Sequence, residues 1–324
     1  MNVLKALTIF LLCVSSAMAQ TQNGFDKEKD LFIAQFDNLP DNDDVQSQAA
    51  VGCLLAHPDF KGVNYFCVAG SWGNQQNLKN APKWKYIDSS ELFKIAFGPE
   101  AKPKSNKKDL AAARWVSAHG KFKAKSKLTP ERIERMDFAS DVLRDRAKPI
   151  LEAGGKVWVM EAGQSDLTAK WVEKLIAAGV TNTKTHVVVV QHSRWNENAT
   201  TKKELAFVRA NTKYTQIDDG NHDYGTGADR GDNSPNYKNL TPSFIEKAIG
   251  DSNPNKVTRS YWKKAKEITD ASSYHGPISK GGVDFSDTVE AMWIFDLAHK
   301  SAGLTTVQGF WDKFVLKSNG KTQQ

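Results

Sequence analysis

The stretch Leu31–Ser47, LFIAQFDNLPDNDDVQS, decides how the rest of the chain is read. Leu31 to Phe36 is an apolar, β-prone run short enough to be a buried strand. Asp37, Asp41, Asp43 and Asp44 then place four carboxylates within eight residues, with Pro40 and Asn42 marking a turn between them. Beyond the turn, Val45, Ala49, Val51, Cys53, Leu54 and Leu55 switch to helical spacing. Strand, acidic turn and helix put the carboxylates at the carboxyl end of a strand, where open α/β sheets bind ligands. Like charges packed this closely repel, and a hard cation with oxygen ligands, Ca²⁺ or Mg²⁺, relieves the repulsion. The plainer alternative is a solvated acidic turn in which Asp43 or Asp44 caps the helix.

Working outward, the amino terminus reads as an export signal over residues 1–19. Lys5 supplies the positive charge, Leu7 to Val14 the apolar core, and Ala17-Met18-Ala19 the small-residue cleavage site. That apolar core is too short for a membrane span. The expectation is an exported chain, secreted or periplasmic, running from 20 to 324 as one α/β domain with no membrane association when mature. Roughly 300 residues can bury a large core. Cys13 leaves with the signal, and Cys53 and Cys67, in a helix and a strand, read as small core residues rather than a bridge or a metal pair. The formal net charge of +7 becomes +6 once Lys5 is removed. The basic runs at Lys102–Lys108 and Lys121–Lys127 lack interleaved aromatics, so they read as solvated surface and exclude a nucleic-acid groove.

Further along, Val63–Ala69 is a second strand that leads into the polar loop Gly70-Ser71-Trp72-Gly73-Asn74-Gln75. Asp88–Phe97 is helical, and Pro99–Lys108 is a surface loop. A long amphipathic helix begins at Thr129-Pro130 and stops at Gly154-Gly155. Val157–Glu161 is a third strand, Asp166–Ala178 a helix, and His186–Gln191 a fourth strand, buried on both faces as in parallel sheets. Ser193–Asn198 and Asp218–Asn239 are long polar loops, while Tyr261–Ala271 and Thr288–Lys300 are helical. This alternation predicts an α/β fold with a mainly parallel open sheet sandwiched by helices. Its strand ends carry Asp37/Asp41/Asp43/Asp44, Ser71/Asn74, Glu161/Gln164/Ser165 and His192/Arg194/Asn196, and Asp287 stands at a later helix start. Such a carboxylate nest, ringed by amides, suits a divalent cation and a polyhydroxylated small molecule.

The order of these motifs resembles the inosine-uridine-preferring nucleoside hydrolases and their divergent relatives. That family opens with a strand and a turn of the form Asp-x-Asp-x-x-x-Asp-Asp, then has a helix, a His-Pro, a strand and an Ala-Gly-Asn. Here Asp37-Asn38-Leu39-Pro40-Asp41-Asn42-Asp43-Asp44 has the same length, and His57-Pro58 and Val68-Ala69-Gly70 follow at matching places, with Asn74 three residues late. Glu161-Ala162-Gly163-Gln164 stands where the family has a Thr-Gly-Pro loop, and Ser286-Asp287 where it has His-Asp. The resemblance spans most of the chain after the signal, but only the first motif is specific. It implies a nucleoside hydrolase-like fold and hydrolysis of an N-glycosidic bond in a nucleoside or related glycoside.

Carried over residue by residue, the resemblance implies that Asp44, Asp287 and the carbonyl of Ala162 hold Ca²⁺, and that Asp43 orients or deprotonates the attacking water. Asn74 and Asn196 hold ribose-like hydroxyls under the same resemblance; Trp72, Gln164, His192 and Trp195, in the polar segments after the strands, are the further candidates for substrate binding. Leu39 occupies a position where the family has a metal-binding Asp, so Asp37 or Asp41 is expected to take its place. A distant, exported and carbohydrate-related branch of the superfamily shares the leading Asp and the acidic residue two before the Asp-Asp. Ser286 replaces the His that protonates the leaving base. His192 or His222 is available for that role, although a lone His in a polar loop is expected to be solvated. A carbohydrate-binding protein on the same fold is the second reading, since fold does not fix function. A phosphatase or deaminase finds no His-rich or Cys-rich zinc spacing. The sugar, the leaving group and the oligomeric state stay open.

Overall fold

LFIAQF is apolar at both the odd and the even positions, save Gln35, and a strand of that kind is stable only with both faces covered. The computed structural model describes residues 24–38, 41–70, 87–119, 130–220, 235–271 and 276–317. In it Leu31–Phe36 is strand β1, with every residue buried. It lies at the centre of a seven-stranded sheet of order β3-β4-β2-β1-β5-β6-β7. The other strands are β2 (Tyr65–Ala69), β3 (Glu100–Ala101), β4 (Trp115–Ser117), β5 (Val157–Ala162), β6 (Val187–Gln191) and β7 (Lys213–Gln216). All six pairings are parallel, with Gln35 opposite Val68 on one side and Glu161 on the other.

The two faces of β1 build the two halves of the core. Phe32, Ala34 and Phe36 pack with the helix Asn42–Ala56, through Val45, Ala49 and Cys53, and with Trp262 of the helix Lys256–Asp270. Leu31 and Ile33 pack with Leu143 and Ala147 of the long helix Pro130–Glu152 and with Leu167 and Trp171 of the helix Asp166–Ala177. Cys53 and Cys67 are both free and buried. No helix among the described residues is long and apolar enough to cross a membrane.

β1 is also where the winding reverses. The chain leaves β1 towards β2, runs out to the edge strand β3, comes back to β4 between them, then crosses to place β5 on the other flank. The crevice between the carboxyl ends of β1 and β5 is therefore the topological switch point, the general ligand position of open α/β sheets. It is flanked by Asp37 after β1 and by Gly163-Gln164 after β5.

Several elements differ from the sequence expectation. Pro99–Lys108 is not plain surface loop: Glu100–Ala101 pairs with β4, and a short helix follows at Lys107–Ala112. Ser193–Asn198 is a helical turn, Arg194–Ala199, capped by Ser193 Oγ accepting the Trp195 N–H at 3.1 Å. The helix after Asp287 stops at Ile294, and Asp296 adopts a left-handed φ of 57° that turns the chain away. The edge strands β3 and β7 and the inner strand β4 are too short or too polar to announce themselves by periodicity. The signal region, Leu39, Pro40, Ser71, Trp72, Asn74, Lys121–Lys127, Thr129 and His222 lie outside the described residues.

A two-stranded antiparallel pair, Lys238–Asn239 with Val283–Asp284, carries the Asp284–Asp287 segment back to the site. Gln46 in the first helix fixes it there, its Oε1 accepting the Asp284 N–H at 2.9 Å.

At the opposite end of the sheet, the buried Asp30 joins β1 to β5. Its Oδ1 accepts the Lys156 N–H at 2.8 Å, and its Oδ2 accepts Trp158 Nε1–H at 2.8 Å and the Asp26 N–H at 3.0 Å. Hydrogen bonds to a charged group contribute about 1.5–3 kcal/mol each, and orphaning buried donors costs more than it saves. Asp30→Ala is expected to destabilise the fold by about 3 kcal/mol or more, and Asp30→Asn by less. Urea unfolding with an unchanged m-value is the check.

Candidate functional site

The first turn of the helix Asn42–Ala56 lies over the end of β1 because Asp44 reaches back to it. Asp44 Oδ1 accepts the Asp37 N–H at 2.8 Å, and the same N–H extends the β-ladder to the Ala162 carbonyl at 2.9 Å. Asp43 Oδ1 accepts the Asp44 N–H at 3.1 Å. The helix cap is Asp41, which makes no side-chain capping bond. The capping alternative therefore fails: Asp43 Oδ1 accepts the adjacent amide, not the N–H two or three residues on that a cap would hold, and Asp44 bonds to the strand. Asp41, Asp43 and Asp44 each present one carboxylate oxygen, all within 4.8 Å of one another.

Two further carboxylates join them. Asp37 is buried and accepts from Gln164 Nε2 at 2.8 Å. Asp287, brought in by the later helix start, is buried with Oδ2 accepting from Ser47 Oγ at 3.3 Å. Burial pushes the Asp44 carboxyl far above the usual range, and Asp287 is the strongest of the like charges that add to it. Burial and the Asp43 charge do the same to Asp41 and Asp287. Asp284 is pushed up to about 8 by burial, with Asp43 adding to it. The five carboxylates expected at the site thus converge at the switch point.

His192, at the end of β6, is buried and not the solvated loop histidine expected from its sequence context. Its Nδ1 lies 3.0 Å from Glu290 Oε1, which also accepts the His192 backbone N–H at 2.9 Å. Its Nε2 faces Asp287 Oδ1 at 3.5 Å. Burial alone pushes the imidazole down, but Glu290, then Asp219 and Asp287, raise it to about 10.

The other expected contacts divide. The Ala162 carbonyl already accepts the ladder bond from Asp37, which leaves one lone pair for a cation. Gln164 has its amide nitrogen committed to Asp37, so it positions that carboxylate. Asn196 is buried, its carbonyl accepting from Thr200 Oγ1 at 2.7 Å. Trp195 is 40% exposed beside it, as a sugar-stacking ring would be.

Sequence reasoning missed Glu290, Asp284, Arg132 and His119. Glu290 follows Asp287 by three residues, one helical turn on the same face, and that spacing was a usable signal. Arg132 continues the apolar stripe Ala139, Leu143, Ala147 and is itself buried, so a charge on a core face was the clue. Burial lowers Arg132 to about 10, and the Asp37 charge works against that lowering. His119 is buried where Gly70 turns with φ +87°; a Cβ at Gly70 would lie 1.7 Å from the His119 ring. Among the residues beneath the nest, Gln35 Nε2 donates to Glu161 Oε1 at 2.9 Å and to Thr168 Oγ1 at 2.6 Å.

No family model, curated protein or solved structure matches the chain.

The donor set fits a divalent cation. Carboxylate oxygens crowd together at Asp41, Asp43 and Asp44, and among the described residues Asp41 Oδ1 is buried without a hydrogen-bond partner.

The carboxylates also set a pH dependence. Asp284, at about 8 when folded against 3.8, holds its proton in the folded state while the unfolded chain has lost it. Asp41, Asp44 and Asp287 shift the same way, and so does His192 between 6.5 and about 10. The folded state then binds more protons than the unfolded state, so stability falls as pH rises. With a chelator present, the urea midpoint is expected to drop steadily from pH 5 to pH 8. Asp284→Asn should flatten that slope.

Proposed function

We propose that the chain is an exported, cation-dependent hydrolase of glycosidic bonds, acting on an N-ribosyl or related glycosyl substrate. The observation that carries this reading is the convergence of Asp37, Asp41, Asp43, Asp44 and Asp287 on one crevice at the switch point of the sheet. Asp41, Asp44 and Asp287 are the residues that would hold the cation, Ca²⁺ on the strength of the sequence resemblance, with Asp37 steadied by Gln164 behind them. A cation bound there lowers the pKa of water, which makes a nucleophile available near neutral pH.

Asp43 is the general base in this reading. It is half-buried where Asp44 is buried, and one of its oxygens is within reach of the Asp41 and Asp44 oxygens. A carboxylate so placed takes the proton from a water attacking an anomeric carbon as the glycosidic bond breaks, and the aglycone leaves with its bonding electron pair and takes up a proton from solvent. Trp195 supplies an exposed ring against which a sugar can stack, beside Asn196. The substrate is a small glycoside or nucleoside.

The test is a reducing-sugar assay over a panel of nucleosides and glycosides with added divalent cation. General base assistance is worth ~10²–10⁴-fold, so Asp43→Asn should lower turnover by about that factor while folding and metal content persist. Asp44→Asn should release the metal itself. Turnover that survives Asp43→Asn contradicts the mechanism. Sugar affinity with no turnover of any glycoside replaces it with a carbohydrate-binding protein.

A further inference from the structure

We infer that His192 is a nitrogen ligand of the cation in this site, so that the site selects a first-row transition ion such as Mn²⁺ or Zn²⁺ over Ca²⁺. The inference rests on the reading of the carboxylate nest as a cation site and names which cation it takes.

The geometry is that of a ligating histidine. The side chain is buried, and Nδ1 is held by Glu290 Oε1 at 3.0 Å, an acceptor fixed in turn by the His192 backbone N–H at 2.9 Å. Metal-bound imidazoles are oriented in this way, one nitrogen on the ion and the other N–H on a carboxylate. The ring's other nitrogen, Nε2, makes no hydrogen bond to a described residue and faces Asp287 Oδ1 at 3.5 Å. Two ligands ~2.1 Å from one ion stand about 3.0–3.4 Å apart at octahedral or tetrahedral angles, so a pair at 3.5 Å has only to close slightly to share one. Asp287 Oδ2 in turn accepts from Ser47 Oγ at 3.3 Å, and Ser47 stands on the helix whose first turn carries Asp43 and Asp44, which brings the histidine to the acidic turn.

The donor chemistry decides the ion. Ca²⁺ takes oxygen ligands almost alone, whereas imidazole with carboxylates suits Mn²⁺, Fe²⁺ and Zn²⁺.

Pulsed electron paramagnetic resonance on the wild-type protein loaded with Mn²⁺ tests this without any variant. The expected result is modulation from one directly bound imidazole nitrogen. Its absence overturns the assignment, as it would if an imidazolium ion stayed paired with Asp287 and took no part in binding. Thermal melting with Ca²⁺, Mn²⁺ or Zn²⁺ added singly to chelator-treated protein supplies the second arm. Mn²⁺ and Zn²⁺ should raise the Tm more than Ca²⁺ at equal concentration. His192→Gln should remove that difference. Glu290→Gln should weaken Mn²⁺ binding ~10–100-fold, the usual cost of losing an outer-shell partner. Ca²⁺ binding tighter than Mn²⁺, and unchanged in His192→Gln, overturns the inference and leaves the hydrolase reading standing. A nitrogen-ligated ion in a protein that cleaves no glycoside does the reverse.

Discussion

The constraint on which this structure turns is the crowding of carboxylates where β1 ends. Ionised side chains cannot be buried side by side without a countercharge, because desolvation and mutual repulsion act in the same direction. Asp44 nevertheless makes the contact that seats the first helix on the sheet, through the Asp37 N–H. Asp287 is brought in from far along the sequence by an antiparallel pair and by Gln46. The fold thus stabilises an arrangement that is unfavourable locally, the usual mark of a functional site.

The surroundings divide the work of holding that arrangement. The two apolar faces of β1 fix the strand itself, and Asp30 fixes its start. Around the site the supports are polar. Gln164 restrains Asp37, Ser47 restrains Asp287, and Glu290 restrains His192. On the far side, Arg132 contributes a buried positive charge near Asp37. A rigid shell of this kind pre-sets the positions of charged groups before a ligand arrives, which is what electrostatic catalysis and metal selection require.

The central strands and the acidic turn were legible in the sequence because strong local signals agreed there. An apolar run, a turn and a change to helical spacing all pointed to the same boundary, and Leu31–Phe36 is the strand that the pattern implies. The edge of the sheet was not legible: Glu100–Ala101 and Lys213–Gln216 form strands because a neighbouring strand offers hydrogen bonds, not because their own residues prefer it. The same holds at the site. Asp287 could be placed there only by order along the chain, and the burial of His192 depends on Glu290, whose partner lies 98 residues away. Long-range pairings of that kind leave no periodic trace.

The measurement that bears most directly on the central claim is a calorimetric titration of chelator-treated protein with a divalent cation, run at neutral pH in two buffers of different ionisation enthalpy. It reports stoichiometry and proton exchange together. Because burial and repulsion raise the Asp41, Asp44 and Asp287 carboxyls and a bound countercharge lowers them again, one ion per chain should bind with a net release of protons. A cation that fails to bind, or that binds without releasing protons, would contradict the account.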